Sequence, residues 1–168
     1  YQGNARIGEL MRYRFRCEYL GSAFYGWQEQ NEAGKTKFVT VQSSLEEAFS
    51  IALRAPIRIV GSGRTDTGVH ARGQCAHFDF DGELDPRKTE RSVNGLTKRL
   101  IRIRDLQPCA PDFNARFDAV ERYYQYTIFT RPVALMREFG WECGSLSLDL
   151  DIMAEEARSF LGEHDFID

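Results

Sequence analysis

Between Met11 and Tyr19 the chain alternates Tyr13, Phe15, Cys17 and Tyr19 with Arg12, Arg14, Arg16 and Glu18. A period of two puts one set on each side of an extended strand, so one face must be buried and the other solvated. Such a strand is not stable alone; it needs paired neighbours and a second layer over its apolar face. The sequence downstream supplies both. Thr40 can cap a helix whose apolar positions Val41, Leu45, Ala48, Phe49, Ala52 and Leu53 form one stripe, with Pro56 after its end. Ile57 to Gly61 and Gln74 to Phe80 read as short strands flanking a glycine-rich turn. Asp85-Pro86 opens a second helix, with Val93, Leu96 and Leu100 as its expected buried stripe, and Ile101 to Pro108 returns as a strand. The order strand, helix, strand, strand, helix, strand predicts an α+β domain over 11–110, a ferredoxin-like antiparallel sheet with helices on one face.

Leu20 to Phe38, with Gly21, Gly26 and Gly34, reads as a long loop of the kind that often carries function. After Pro108 and Pro111 the pattern restarts. A strand is expected at Tyr123 to Thr130, then a helix capped near Asp149 with Leu150, Met153, Ala157, Phe160 and Leu161 on one face and Gly162 at its end. Residues 111–168 therefore read as the start of a second domain that still needs further strands and a helix. One helix left with one strand exposes its apolar stripe unless it packs on something else. Residues 1–10 read as a loose leader.

No stretch approaches the roughly 20 consecutive apolar residues of a membrane span, and Tyr1 to Leu10 lacks the apolar core of a secretory signal. Cys17, Cys75, Cys109 and Cys143 are far apart and show no metal-ligand spacing, so buried thiols in a reducing cytosol are expected. The formal net charge of −3 is uneven: Glu138 to Asp168 holds nine acidic residues and one basic, net −8, which leaves net +5 for positions 1–137. Arg87, Lys88, Arg91, Lys98, Arg99, Arg102 and Arg104 crowd one stretch. That density suits either a phosphate backbone or a solvated helix face.

The segment richest in chemistry is Gly61-Ser-Gly-Arg-Thr-Asp-Thr-Gly-Val-His-Ala71. A guanidinium at Arg64 close to Asp66 would keep that carboxylate ionised, able to act as nucleophile or base. Glycines 61, 63 and 68 would leave room for a substrate backbone. A simple ion pair fixing the loop is the plain alternative. Asp66 occupies the position of the third glycine of a dinucleotide fingerprint, which excludes that motif. Asp66-Thr67-Gly68 matches the aspartic-protease triplet, but a neighbouring arginine opposes the proton sharing such enzymes need. Farther on, Phe113-Asn-Ala-Arg116-Phe117 and Arg122-Tyr123-Tyr124-Gln125-Tyr126 set aromatic rings among arginines. Such rings can stack bases, or one or two of them can fill a core.

Taken together, the motifs resemble the TruA-type tRNA pseudouridine synthases. The residues concerned are Glu18-Tyr-Leu-Gly21, Phe24-Tyr-Gly-Trp-Gln28, Val41-Gln42, Gly63-Arg-Thr-Asp-Thr-Gly-Val-His-Ala71, Gly73-Gln74, His77-Phe78, Asn94, Phe113 to Phe117, Tyr124-Gln-Tyr126 and Gly162-Glu-His-Asp-Phe166. The resemblance implies a pseudouridine synthase fold whose second half is incomplete in this chain. It implies cofactor-free isomerisation of uridine at positions 38, 39 and 40 of the tRNA anticodon stem-loop by a cytoplasmic homodimer. By the same resemblance Asp66 is the catalytic aspartate, Arg64 the arginine that pairs with it, and Tyr124 the tyrosine that packs on the base. Arg116, Lys35, Lys37, Arg72 and Arg99 are expected to contact RNA. Leu20 and Thr67 replace the Asp and Ala usual in the family, and Leu100-Ile-Arg-Ile-Arg104 replaces Leu-Pro-x-Asp-Ile. Family members continue well beyond 168 residues, so RNA binding without turnover is the alternative for this chain alone.

Overall fold

The computed structural model describes residues 10–28, 38–144 and 146–165. These form two compact units that divide between Tyr123 and Tyr124. The first contains β1 (Leu10–Tyr19), α1 (Val41–Leu53), β2 (Ile59–Gly61), β3 (Ala71–Asp81), α2 (Pro86–Leu96) and β4 (Ile101–Pro108). Its sheet is antiparallel with strand order β2-β3-β1-β4, an α+β arrangement.

β1 realises its period of two: Tyr13, Phe15, Cys17 and Tyr19 are buried while Arg12, Arg14, Arg16 and Glu18 face the other side. The buried face meets α1 and α2, and the rings of Phe15, Phe49 and Phe78 form a triangle with centroids 4.7 to 6.2 Å apart. Each aromatic pair adds about 0.5–1.5 kcal/mol beyond the area it buries.

Both helices begin where their caps dictate. Thr40 Oγ1 accepts from Ser43 N, and the Ser43 side chain accepts from Thr40 N in return; Asp85 accepts from Lys88 N with Pro86 in the first turn. The inward stripe of α2 differs from expectation. It consists of Thr89, Val93 and Thr97, while Leu96 and Leu100 are exposed. The helix stops at Leu96, and Lys98 and Arg99 then adopt positive φ, which turns the chain before a further helical repeat can bury Leu100.

Two i,i+4 side-chain pairs seal the sheet edges. On α1, Gln42 Nε2 donates to Ile59 O (2.9 Å) and Glu46 Oε1 accepts from Ile59 N (3.0 Å). On α2, Asn94 Nδ2 donates to Ile103 O (2.9 Å), its Oδ1 accepts from Ile103 N (2.8 Å), and Glu90 Oε1 accepts from Leu106 N (2.6 Å). Side chains thus replace the missing neighbouring strands on β2 and β4.

The second unit, 124–168, contains β5 (Ile128–Phe129), parallel to β6 (Trp141–Glu142), and α3 (Leu150–Arg158) capped by Asp149. The strand expected over Tyr123 to Thr130 is reduced to Ile128–Phe129. A strand persists only where its backbone finds a ladder partner; Thr127 O accepts from Trp141 N (2.9 Å), but among the described residues none pairs with 123–126. α3 ends at Arg158, short of Gly162, and buries none of its residues. The four cysteines are free, Cys17 and Cys143 buried and the other two half-buried. Among the described residues, no helix is long and apolar enough to cross a membrane.

Candidate active site

Asp66 lies on the connection between β2 and β3, and the loop after β1 holds that connection in place. Ser62 N donates to Cys75 O (2.8 Å), and Gln74 Nε2 donates to Gly63 O (2.8 Å). The buried Tyr19 hydroxyl donates to Gln74 Oε1 (2.9 Å) and lies 2.8 Å from Thr65 Oγ1. Its one proton is committed to Gln74, so Thr65 must be the donor to Tyr19. Desolvation pushes the Tyr19 phenol up to about 12, with the Thr65 hydrogen bond acting in the opposite sense. The phenol therefore stays protonated at neutral pH.

Trp27 N donates to Thr65 O (2.9 Å). The indole lies where a Cβ on Gly61 would stand 2.5 Å from the ring, and a Cβ on Gly21 would meet Val69 O at 2.0 Å. Gly21 N donates to His70 Nδ1 (3.1 Å). Val69 N closes onto Asp66 O (3.2 Å), and Gly68 supplies the positive φ of a type II turn. Of the three turn glycines, Gly61 yields to Trp27, Gly68 supplies the turn's positive φ with nothing within 4 Å of a Cβ, and Gly63 has Arg122 Nε as its nearest neighbour at 3.6 Å from a Cβ. Gly21 and Trp27 belong to the motif after β1, whose role is to brace the turn.

Asp66 and Arg64 are both exposed, and among the described residues no ion pair joins them. The expected pairing is absent because Arg64 turns instead toward a groove of about 450 Å³, which Trp27, Gln42, Arg116 and Arg122 also line. Arg122 Nη2 donates to Ser62 O (2.8 Å), fixing a third guanidinium beside the turn. In the sequence Arg122 stands out only as part of the tyrosine cluster; nothing local announces its long-range bond to Ser62.

Arg116 reaches the groove through a folded segment. Asn114 Oδ1 accepts from Arg116 N (3.0 Å) and Phe117 N (3.3 Å), and Ala115 N donates to His77 Nδ1 (3.1 Å) on β3. Burial, and then the charge of Arg12, push the His77 pKa down, which favours the neutral acceptor this bond needs. Arg12 joins in as a fork: Nε and Nη2 grip Asp79 at 2.7 and 2.8 Å, and Nη1 donates to Phe113 O (2.8 Å). The hydrogen bond from Arg12 holds the Asp79 carboxyl below its usual range. These bonds carry the first unit through Tyr123, beyond the expected boundary at 110.

Tyr124 opens the second unit and is 82% exposed, with Tyr126 exposed beside it, so neither fills a core. The Arg72 carbonyl accepts from Arg104 Nη2 (3.0 Å). Arg99 lies at the α2–β4 corner and not beside Asp66. Lys35 and Lys37 fall outside the described residues. Among the described residues, no cluster of three or more His, Cys, Asp or Glu could hold a metal.

A family model described as tRNA pseudouridine synthase matches residues 17–118. Among curated relatives, the tRNA pseudouridine synthase A of Methylacidiphilum infernorum is 40% identical over 159 residues, covering 94% of this chain and 60% of its own length. That of Xanthomonas euvesicatoria is 43% identical over 162 residues, covering 93% and 60%. That of Maridesulfovibrio salexigens is 38% identical over 160 residues, covering 94% and 56%. The chain thus spans about 60% of the length of the relatives it matches.

Proposed function

The chain belongs to the tRNA pseudouridine synthase family, and from that premise we propose that the protein isomerises uridine to pseudouridine at positions 38, 39 and 40 of the tRNA anticodon stem-loop, with Asp66 as the nucleophile. One observation carries the reading: Asp66 is an exposed carboxylate on a turn fixed by Tyr19, Thr65, Gln74 and Trp27, adjoining a groove lined by three guanidinium groups.

A uridine flipped from its stack presents C1′ to the carboxylate. The C1′–N1 bond breaks as Asp66 bonds to C1′ or stabilises the positive charge developing there. The uracil turns and C5 bonds to C1′, releasing the carboxylate; C5 loses a proton and N1 gains one. No atom is added or removed, so the reaction needs neither a redox equivalent nor a cofactor. Arg64, Arg116 and Arg122 neutralise phosphates around the flipped nucleotide. Tyr124 stacks on its base, a contact worth about 1–3 kcal/mol.

The β1-α1-β2-β3-α2-β4 sheet is read as the ferredoxin-like half of a pseudouridine synthase fold, with 124–168 opening the other half. Homodimer formation and a cytoplasmic location belong to the same reading. Because the chain covers 60% of its relatives, residues 1–168 alone fit a second reading, RNA binding without turnover.

The test is to incubate the full protein with tRNA carrying uridine at 38, 39 and 40 and map pseudouridine by nucleotide. Product is expected at those positions and should vanish when they are cytidine. Product elsewhere, or none, refutes the assignment. Arg64→Ala is expected to slow conversion by about 10²-fold or more, as loss of a positioning group does.

A further inference from the structure

The corner between α2 and β4 carries a cationic feature that the Asp66 turn does not use. Arg91, Asn94, Gly95, Lys98, Arg99 and Arg102 line an open cleft of about 580 Å³. Four of the six are cations, and among the described residues none of the four pairs with a carboxylate. The neighbouring acids are engaged: Glu90 accepts from Leu106 N, and Asp105 lies 4.0 Å from Arg104. Arg102 Nη1 donates to Asn94 O at 2.6 Å, which fixes one guanidinium at the cleft.

The backbone of this corner is also unusual. Leu100 N closes onto Thr97 O (3.0 Å), and both central residues have positive φ, Lys98 at 50° and Arg99 at 66°. A turn with two positive φ values strongly prefers Asn-Gly or its equivalents. Here it holds Lys-Arg, against the steric preference of both side chains. Among the described residues, the N–H groups of Lys98 and Arg99 find no acceptor. Thr97, at φ −81° and ψ 12°, is followed by Lys98 in the left-handed region, and the successive N–H groups across such a right–left junction form a concavity suited to an anion.

The sheet register places this corner at the same end of the sheet as the Asp66 turn, with β1 between them. Tyr19, at the end of β1, is partnered by Ala71 on one side and by Ile101 on the other. The Asp66 turn enters β3 at Ala71, and the Lys98–Arg99 turn enters β4 at Ile101. Both therefore lie at the same end of the sheet, on strands about 10 Å apart across β1.

We propose that the α2–β4 corner is a second RNA contact, a site for backbone phosphate of the same tRNA whose uridine reaches Asp66. The proposal rests on the reading of the protein as a tRNA-modifying enzyme, and it adds a binding determinant separate from the catalytic turn. The cleft grips phosphodiester through the four cations and the two free N–H groups. It reads no base.

The experiment measures tRNA affinity of the full protein across a series of salt concentrations, comparing wild type with a double variant, Lys98→Asn and Arg99→Gly. Asn-Gly is what this turn prefers, so the variant is expected to keep or raise its thermal midpoint. Its affinity should fall about tenfold near 0.1 M salt, and the slope of log K against log salt should become shallower by about 1 to 2. Lys98→Arg should retain both affinity and slope. Unchanged affinity and slope in the folded double variant overturns the proposal, as does inorganic phosphate binding at these amides without any change in tRNA affinity. Pseudouridine formation by the unsubstituted protein is scored separately: its absence refutes the catalytic reading, whereas an altered salt slope bears on the corner alone.

Discussion

Asp66 owes its position to residues that never touch its carboxylate. Tyr19 links Thr65 to Gln74 through one hydroxyl, so Tyr19→Phe removes two hydrogen bonds at once. The expected cost is about 1–3 kcal/mol in urea unfolding, since the partners are left part-buried. A loss below a few tenths would mean that the network does not hold the turn. Gly21→Ala attacks the same turn from outside. Its Cβ would stand 2.0 Å from Val69 O, so the turn must move; activity should drop by at least 10²-fold even where the protein remains folded by circular dichroism. His77 gives a pH signature. Its folded pKa is lowered and its ordinary value is 6.5, so the unfolded chain takes up the proton first. The bond to Ala115 N therefore contributes fully above pH 6.5 and is lost as pH falls through the lowered folded value. Between pH 7.5 and 5 the thermal midpoint of the wild type should fall more than that of His77→Asn, which keeps an acceptor but cannot titrate; parallel curves would contradict this.

At the level of elements, the two helices act as edge strands as well as covers. Gln42 and Glu46 close β2, and Glu90 and Asn94 close β4. Asn94→Ala leaves the backbone N and O of the buried Ile103 without partners, and equilibrium unfolding should show a loss of about 1–3 kcal/mol. An unchanged midpoint would show that water replaces the amide. Elements whose signals are local were legible in the sequence. The alternation from Tyr13 to Tyr19, the Thr40 cap and Asp85-Pro86 led to β1, α1 and α2, because a period and a cap are carried by neighbouring residues. Leu96 and Leu100 misled because periodicity cannot see a left-handed corner. Tyr123 to Tyr126 misled because a strand needs a partner that local pattern does not supply. The site divides in the same way. Its turn was evident from Gly61 to Ala71, but nearness in sequence suggested an Arg64–Asp66 pair that space does not provide. The bracing of that turn by Trp27 and the arrival of Arg122 at Ser62 are contacts between distant segments.

For the whole molecule, charge is distributed unevenly between the two compact units. Residues 1–123 hold 19 basic and 16 acidic residues, net +3, and 124–168 hold three basic and nine acidic, net −6; the cation-lined groove and the cation-lined corner both belong to the first compact unit. In the second unit, Leu150, Ile152, Phe160 and Leu161 are exposed. Under the proposed function, Asp66 is the group that opens the glycosidic bond. The most direct measurement is pseudouridine formed in tRNA by the full protein carrying Asp66→Asn, with tRNA affinity measured on the same preparation. We predict product below detection with affinity within about twofold of wild type, because the amide keeps the shape but cannot act as nucleophile. Turnover at the wild-type rate would contradict the claim.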